Sequence, residues 1–299
     1  MYSGECDVKK CEKIEKHLLE KYRFVRRFVI GRTYLKRRII AYSIGKGGVL
    51  CCGAFHGAER ITAMMLYKFL DEVCGYMEKD EQFLRIVIQT GLTVIPMVNP
   101  DGVEIGANGV HTAGEGSEFV SECLLKAKLP HKKWQANARG VDINHNFNAG
   151  FGKVKENERK MGIYSPSPTR YGGEFPESER ETASLCELCR ENEYKLAVAL
   201  HSQGREIYYD YGGNTPKESL QIAKNMAQLS GYKVSYPMGI AVGGGFKDWF
   251  IEEFSRPAFT IEIGEGENPL SPDIFDIEYP LVSKMLNYLL EYAIKNSDE

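Results

Sequence analysis

Gly48-Val49-Leu50-Cys51-Cys52-Gly53-Ala54-Phe55-His56-Gly57-Ala58-Glu59 is the stretch on which the fold of this chain turns. Gly48 to Ala54 form an unbroken apolar run bounded by glycines, the pattern of a strand covered on both faces. Immediately beyond it come an imidazole and a carboxylate three residues apart, and then residues 61–76 with helical spacing. The join of buried strand and helix lets both polar side chains face one point.

Working outward, the same order of strand, loop and helix returns with strands at 92–98, 196–200 and 258–263 and helices at 177–191, 216–229, 245–254 and 272–294. An amphipathic helix at 5–22 and a hairpin edge, 24–30 and 37–44 around Gly31-Arg32-Thr33, precede them. Such alternation predicts an α/β fold, an α/β/α sandwich around a mixed, mainly parallel twisted sheet. Polar ligands of these sheets gather beyond the carboxyl ends of strands. His56, Asn99, His201 and Glu262 each fall at or just after such an end, so one crevice is expected. Residues 105–176, rich in Gly, Asn, Ser and Pro and poor in periodicity, read as substrate-binding loop. No repeat or linker divides the chain, and a single catalytic domain over 1–299 is expected.

The composition, 43% hydrophobic over 299 residues, supports a large core. A formal charge of −3 provides no global field toward nucleic acid or an anionic membrane, so neither is expected as a partner. The opening residues lack a signal-peptide pattern and no apolar run approaches a spanning helix, which points to a cytoplasmic protein. Eight cysteines in a chain of this length fit reduced thiols. Cys186 and Cys189 have redox-pair spacing but sit in a helical segment without a second pair, and read as thiols on a buried helix face.

Histidine nitrogen and carboxylate oxygen are typical zinc ligands, and two histidines with one Glu leave a position for water. His56 and Glu59 need a third ligand from a distant strand; His201, closing the apolar run 197–200, is the candidate. A lone His-x-x-Glu is common by chance, and a strand-end histidine is often a hydrogen-bonded rim residue. Glu262 changes the weighing, because Phe259-Thr260-Ile261-Glu262-Ile263 places an ionisable group inside an apolar strand. One zinc per chain, with Glu262 accepting the proton of activated water and returning it to a leaving amine, is amide hydrolysis. Arg139, in the polar loop before Val141-Asp142-Ile143-Asn144, is the candidate for stabilising the oxyanion.

Over almost its whole length the chain resembles the zinc carboxypeptidases of the pancreatic carboxypeptidase A type. The resemblance is carried by His56-Gly57-Ala58-Glu59, Asn99-Pro100-Asp101-Gly102-Val103, residues 137–147 (Asn-Ala-Arg-Gly-Val-Asp-Ile-Asn-His-Asn-Phe), Ala199-Leu200-His201-Ser202 and Phe259-Thr260-Ile261-Glu262, in family order. It implies one zinc on His56, Glu59 and His201, an electrophilic role for Arg139, base chemistry for Glu262 and the family's α/β fold.

The departures concern substrate. The family reads Asn-Arg-Asn where this chain has Asn144-His145-Asn146, and that arginine grips the C-terminal carboxylate of the trimmed peptide. Histidine lacks the permanent charge and two-pronged donor face of arginine. Ala58 likewise replaces an arginine of the first motif, and Ile240 stands where the family places a tyrosine. Lys247 aligns with the position that sets the specificity pocket, where a cation favours an acidic substrate group; a solvated helix lysine is the plainer reading.

Residues 201–209, 245–250 and 262–270 are similar to the bacterial branch that cleaves γ-D-glutamyl bonds to a diamino acid in cell-wall peptides. The resemblance implies a peptide substrate, a muropeptide, whose carboxylates Asn144, His145, Lys247 and Arg205 could share; Arg205 reads equally well as a surface charge. No wall-binding repeat is present, which suggests a cytosolic role in muropeptide recycling, or one in a spore or mother-cell compartment, rather than attack on intact wall. Two rivals remain: a metallocarboxypeptidase that removes C-terminal residues from ordinary peptides, and a zinc-retaining binding protein without turnover.

Overall fold

The computed structural model describes residues 1–2, 4–236 and 242–296, so the expectation placed on Ile240 lies outside the described residues. The chain opens with helix α1 (Val8–Lys21), whose first turn is capped by the Asp7 carboxylate accepting from the Lys10 amide at 2.7 Å. Strands β1 (Arg26–Arg32) and β2 (Arg38–Ile44) form the expected antiparallel hairpin, but its turn lies at 33–37 and not at Gly31-Arg32-Thr33, because Gly31 and Arg32 still pair with Ile39 and Arg38. Next come β3 (Gly48–Cys52), α2 (Ile61–Met77), α3 (Glu81–Thr90) and β4 (Leu92–Ile95). Helices α4 (Pro100–Asn108), α5 (Ser117–Ala127), α6 (Phe151–Lys160) and α7 (Arg180–Glu191) lead to β5 (Tyr194–His201). The last third holds β6 (Glu206–Tyr208), α8 (Ser219–Ser230), β7 (Lys233–Ser235), α9 (Phe246–Phe254), β8 (Ala258–Glu262) and α10 (Phe275–Lys295).

These strands make one eight-stranded sheet in the order β1-β2-β4-β3-β5-β8-β6-β7. The four central strands, β4, β3, β5 and β8, run parallel, and antiparallel pairing enters where β2 meets β4 and β6 meets β8. Because successive strand residues face opposite sides, Val49 and Cys51 enter one core with residues of α1, α2, α8 and α10, while Leu50 and Cys52 enter a second with residues of α7 and α9. All five residues of β3 are buried, as its apolar run predicts. The result is the α/β/α sandwich expected from the alternation of elements.

The stretch read as substrate loop differs from expectation, since 105–176 contains α5, α6 and the end of α4. A third small core, with Ile105, Val120, Leu124, Trp134 and Ala136, holds its first half together. Helix α6 buries only Val154 and Glu158 of its ten residues, so it carries no apolar stripe that periodicity could reveal. It is fixed by polar contacts instead: Glu158 pairs with Lys155 and accepts from the Gly172 amide at 2.7 Å.

Candidate active site

The parallel centre of the sheet delivers the site. His56 follows β3 through a three-residue turn, Glu59 stands just before α2, His201 ends β5, and Glu262 ends β8 in register with His201. Gly57 is required between the first pair: a Cβ there would lie 2.1 Å from the Gly102 carbonyl oxygen and 2.7 Å from that of Trp134. Asn99, expected at the crevice, is instead fully buried behind it. Its amide donates to the Phe55 carbonyl at 2.9 Å and its oxygen accepts from the Gly102 amide at 2.9 Å, tying the His56 turn to α4.

Both imidazoles turn toward the one carboxylate. His56 Nδ1 lies 2.8 Å from Glu59 Oε1 and His201 Nδ1 lies 3.0 Å from Oε2. One donor atom from each of His56, Glu59 and His201 falls within 4.8 Å of the others, a set that could hold a single ion. His56 Nε2, on the far side of the ring, meets Asp142 Oδ1 at 2.9 Å. That contact fixes the ring and presents Nδ1 inward, the usual outer support of a metal-ligating histidine. Phe55 stacks on His201 with centroids 5.1 Å apart.

The electrostatics follow from this crowding. Burial alone would depress the His56 pKa, but the Glu59 and Asp142 charges outweigh it and hold the imidazole well above its ordinary value. Burial would raise Glu59, yet the two imidazoles draw it down to about 2. Burial, reinforced by the Glu59 charge, pushes Glu262 well above the usual carboxylate range. A cation held by His56, Glu59 and His201 would oppose that shift and favour the ionised Glu262 carboxylate.

The open cleft around these groups encloses about 610 Å³ and is also lined by Asn144, His145, Lys247 and Tyr208. Asn144 Oδ1 accepts from the Phe246 amide at 3.0 Å, and His145 Nδ1 contacts the Arg170 carbonyl at 3.2 Å. Lys247 is buried, its ammonium donating to the Asp210 carbonyl at 2.7 Å and to the Asp248 carboxylate. Its charge is therefore already matched by Asp248, which weakens the simple expectation of a free cation.

Two expected site residues are not brought to the cleft. Arg139 lines a separate crevice with Phe175 and Ser178, 3.7 Å from Glu179. The cause is local: the Asn137 side chain accepts from the amides of Arg139 and Val141, closing a turn that directs the guanidinium toward Tyr34 and Glu179. Arg205 pairs with buried Glu278 on α10, at 3.0 Å from its Nε, and serves that junction. In turn, the sequence reading missed Asp142, Tyr208 and Asp248. Asp142 lies inside a quoted motif, but nothing in its spacing says that it faces His56 from 86 residues away.

A model of the zinc carboxypeptidase family matches residues 12–289. The chain is 32% identical over 286 residues to the uncharacterized protein YqgT of Bacillus subtilis (strain 168), covering 92% of this chain and 74% of that protein. It is also 32% identical over 272 residues to gamma-D-glutamyl-L-diamino acid endopeptidase 1 of Lysinibacillus sphaericus, covering 88% and 67% respectively. In fold it matches bovine thrombin-activatable fibrinolysis inhibitor, solved with tick carboxypeptidase inhibitor, at a TM-score of 0.77 and 19% identity over 99% of both chains.

Proposed function

The chain belongs to the zinc carboxypeptidase family, and on that premise we propose that it hydrolyses the amide bond between γ-D-glutamate and a diamino acid in peptidoglycan-derived peptides. It is a zinc metallopeptidase. His56, Glu59 and His201 hold the zinc in this reading, and the inward Nδ1 atoms with Asp142 behind His56 fit that ion. Zinc supplies Lewis acidity, which polarises an amide carbonyl and acidifies water. Glu262, at the end of β8 across from His201, takes the proton of the attacking water and hands it to the leaving amine. Asn144, His145 and Lys247 line the cleft and orient the peptide. Arg139 and Arg205 receive no role there.

One observation supports the substrate choice most directly: among the described residues lining the cleft none is arginine, and His145 occupies the position at which the resemblance implies one. Without a two-pronged cation, capture of an ordinary C-terminal carboxylate is weak. The endopeptidase relative supports the same choice by its name and its 32% identity. Eight buried, unpaired cysteines support a reducing compartment, and trimming of muropeptides in the cytoplasm is the setting we propose. Among the described residues no helix is long and apolar enough to cross a membrane.

The test compares release of diaminopimelate from L-Ala-γ-D-Glu-meso-diaminopimelate with cleavage of a hippuryl-type C-terminal substrate by the zinc-loaded protein. Higher kcat/KM on the first is expected. Faster cleavage of the second would replace this reading with ordinary carboxypeptidase action.

A further inference from the structure

Away from the cleft, the entry to α1 brings two thiols together. Cys6 Sγ and Cys11 Sγ lie 3.5 Å apart, both buried, the one thiol–thiol contact of hydrogen-bonding range among the described residues. Their positions explain the approach. Asp7 is the N-cap of α1, so Cys6 is the residue before the cap and Cys11 the fourth residue of the helix. Those two positions carry the apolar pair that staples a chain onto the first turn of a helix, and here both members are thiols.

The backbone of the pair is held independently of the sulfurs. Asp7 Oδ1 accepts from the Lys10 amide at 2.7 Å, the Cys11 amide donates to the Asp7 carbonyl at 3.1 Å, and the Val8 amide donates to Glu104 Oε1 on α4 at 2.7 Å. A disulfide needs sulfurs about 2.05 Å apart, and the staple leaves that gap to be closed by side-chain rotation. Cys6 also borders a surface crevice shared with Glu5, Ala58, Arg60 and Phe275, the side from which a small oxidant would approach it.

We propose that Cys6 and Cys11 are a redox-modification site, in which a peroxide closes a covalent staple across the start of α1. The Cys6 thiolate attacks a peroxide oxygen, the O–O bond breaks, and Cys6 becomes a sulfenic acid as water leaves. Cys11 sulfur then attacks the Cys6 sulfur, displacing the sulfenic oxygen as a second water, with the Cys11 proton leaving with it. The two thiols lose two electrons and two protons, and hydrogen peroxide is reduced to two waters. The contact with Cys6 and burial push the Cys11 thiol up, so Cys11 is not the first to react, and its place 3.5 Å from Cys6 makes it the resolving partner. Burial also pushes up the other six thiols, Cys51, Cys52, Cys74, Cys123, Cys186 and Cys189, and none of them has a thiol partner in hydrogen-bonding range among the described residues.

The modification sits close to the metal loop. Glu5, next to Cys6, accepts from Arg60 Nη2 at 2.9 Å, and Arg60 Nη1 donates to the carbonyl of Gly57, between His56 and Glu59, at 3.2 Å.

The zinc-loaded full chain is treated with hydrogen peroxide, alkylated under denaturing conditions, and analysed by intact mass and peptide mapping. The expected product lacks two hydrogens and two alkylatable thiols, maps to a Cys6–Cys11 cross-link, and reverts with dithiothreitol. Its unfolding midpoint is higher than that of the reduced protein. Cys6→Ser and Cys11→Ser each lose both the cross-link and the rise, whereas Cys123→Ser keeps them. Addition of oxygen without a cross-link, a cross-link between other cysteines, or a lower midpoint in the cross-linked protein each overturns the proposal. None of these readouts depends on which peptide the enzyme cleaves.

Discussion

Asp142→Asn isolates what the outer support of the metal site contributes. Three donors converge on this carboxylate: His56 Nε2 and the Asn144 amide on Oδ1, at 2.9 and 3.2 Å, and the Arg170 amide on Oδ2 at 2.9 Å. Although burial opposes ionisation, His56 and His145 hold the Asp142 carboxyl well below the usual carboxylate range, so all three donors meet an anion. An asparagine preserves the shape but offers one acceptor atom. Whichever way its amide turns, an N–H group faces another N–H, either at His56 or at Arg170. Losing such a support costs about 10–100-fold in metal affinity, which corresponds to about 1.4–2.7 kcal/mol. Zinc affinity measured by competition with a chelator of known strength should fall by that factor. Asp101→Asn is the control: Asp101 is equally buried and accepts from Arg37 Nη1 at 2.7 Å, but it stands away from the ligand set. It should lower the unfolding midpoint and leave zinc affinity alone. If Asp142→Asn bound zinc within about twofold of wild type, the assignment of His56 as a supported ligand would be refuted.

Other outcomes follow from the same geometry. Glu262→Gln should cut kcat by about 10²–10⁴-fold, the range for a general base, with bound zinc unchanged by elemental analysis; equal loss of zinc would return Glu262 to a ligand role. His201→Ala should lower the zinc content itself, since no other described histidine joins Glu59 and His56. Glu181, buried with Oε1 unpartnered, has its pKa raised by burial from 4.5 to about 8. The folded state therefore keeps a proton that the unfolded chain releases, and stability falls as pH rises from about 4.5 to 8. Glu181→Gln removes that loss, so the midpoint difference, variant minus wild type, should grow between pH 5 and 8 and then level; a flat difference would show that Glu181 is ionised in the fold. Arg205→Ala should lower the midpoint by stranding Glu278 while KM for the muropeptide substrate holds; a rise in KM at constant stability would bring Arg205 back to the substrate.

The fold was legible where burial writes directly into residue choice. Residues 48–54 are apolar because both faces of β3 are covered, and the glycines that bound the run admit backbone contacts that a Cβ would block: at Gly48 the Gly91 carbonyl oxygen would be 2.0 Å away. Helices α2 and α10 likewise announce themselves through long buried faces. Where polar contacts do the holding, the signal disappears. Helix α6 and the short strands β6 and β7, of three residues each, carry too few buried side chains for a period to show, and all were missed.

The site divides along the same line, and the division is physical. His56, His201 and Glu262 each interrupt an apolar strand end, so each is conspicuous on its own, and the parallel order β3-β5-β8 then brings the ends together. Asp142 and Arg139 are three residues apart in one loop, where no periodic constraint says which way a side chain points. Their directions are set by partners distant in sequence: Asp142 by His56, and Arg139 by the turn that Asn137 closes and by Glu179. Asn137 is itself anchored, its amide donating to Glu179 Oε2 at 2.7 Å. These bonds fix where the Arg139 backbone stands, while its half-exposed guanidinium rests against Glu179 at 3.7 Å.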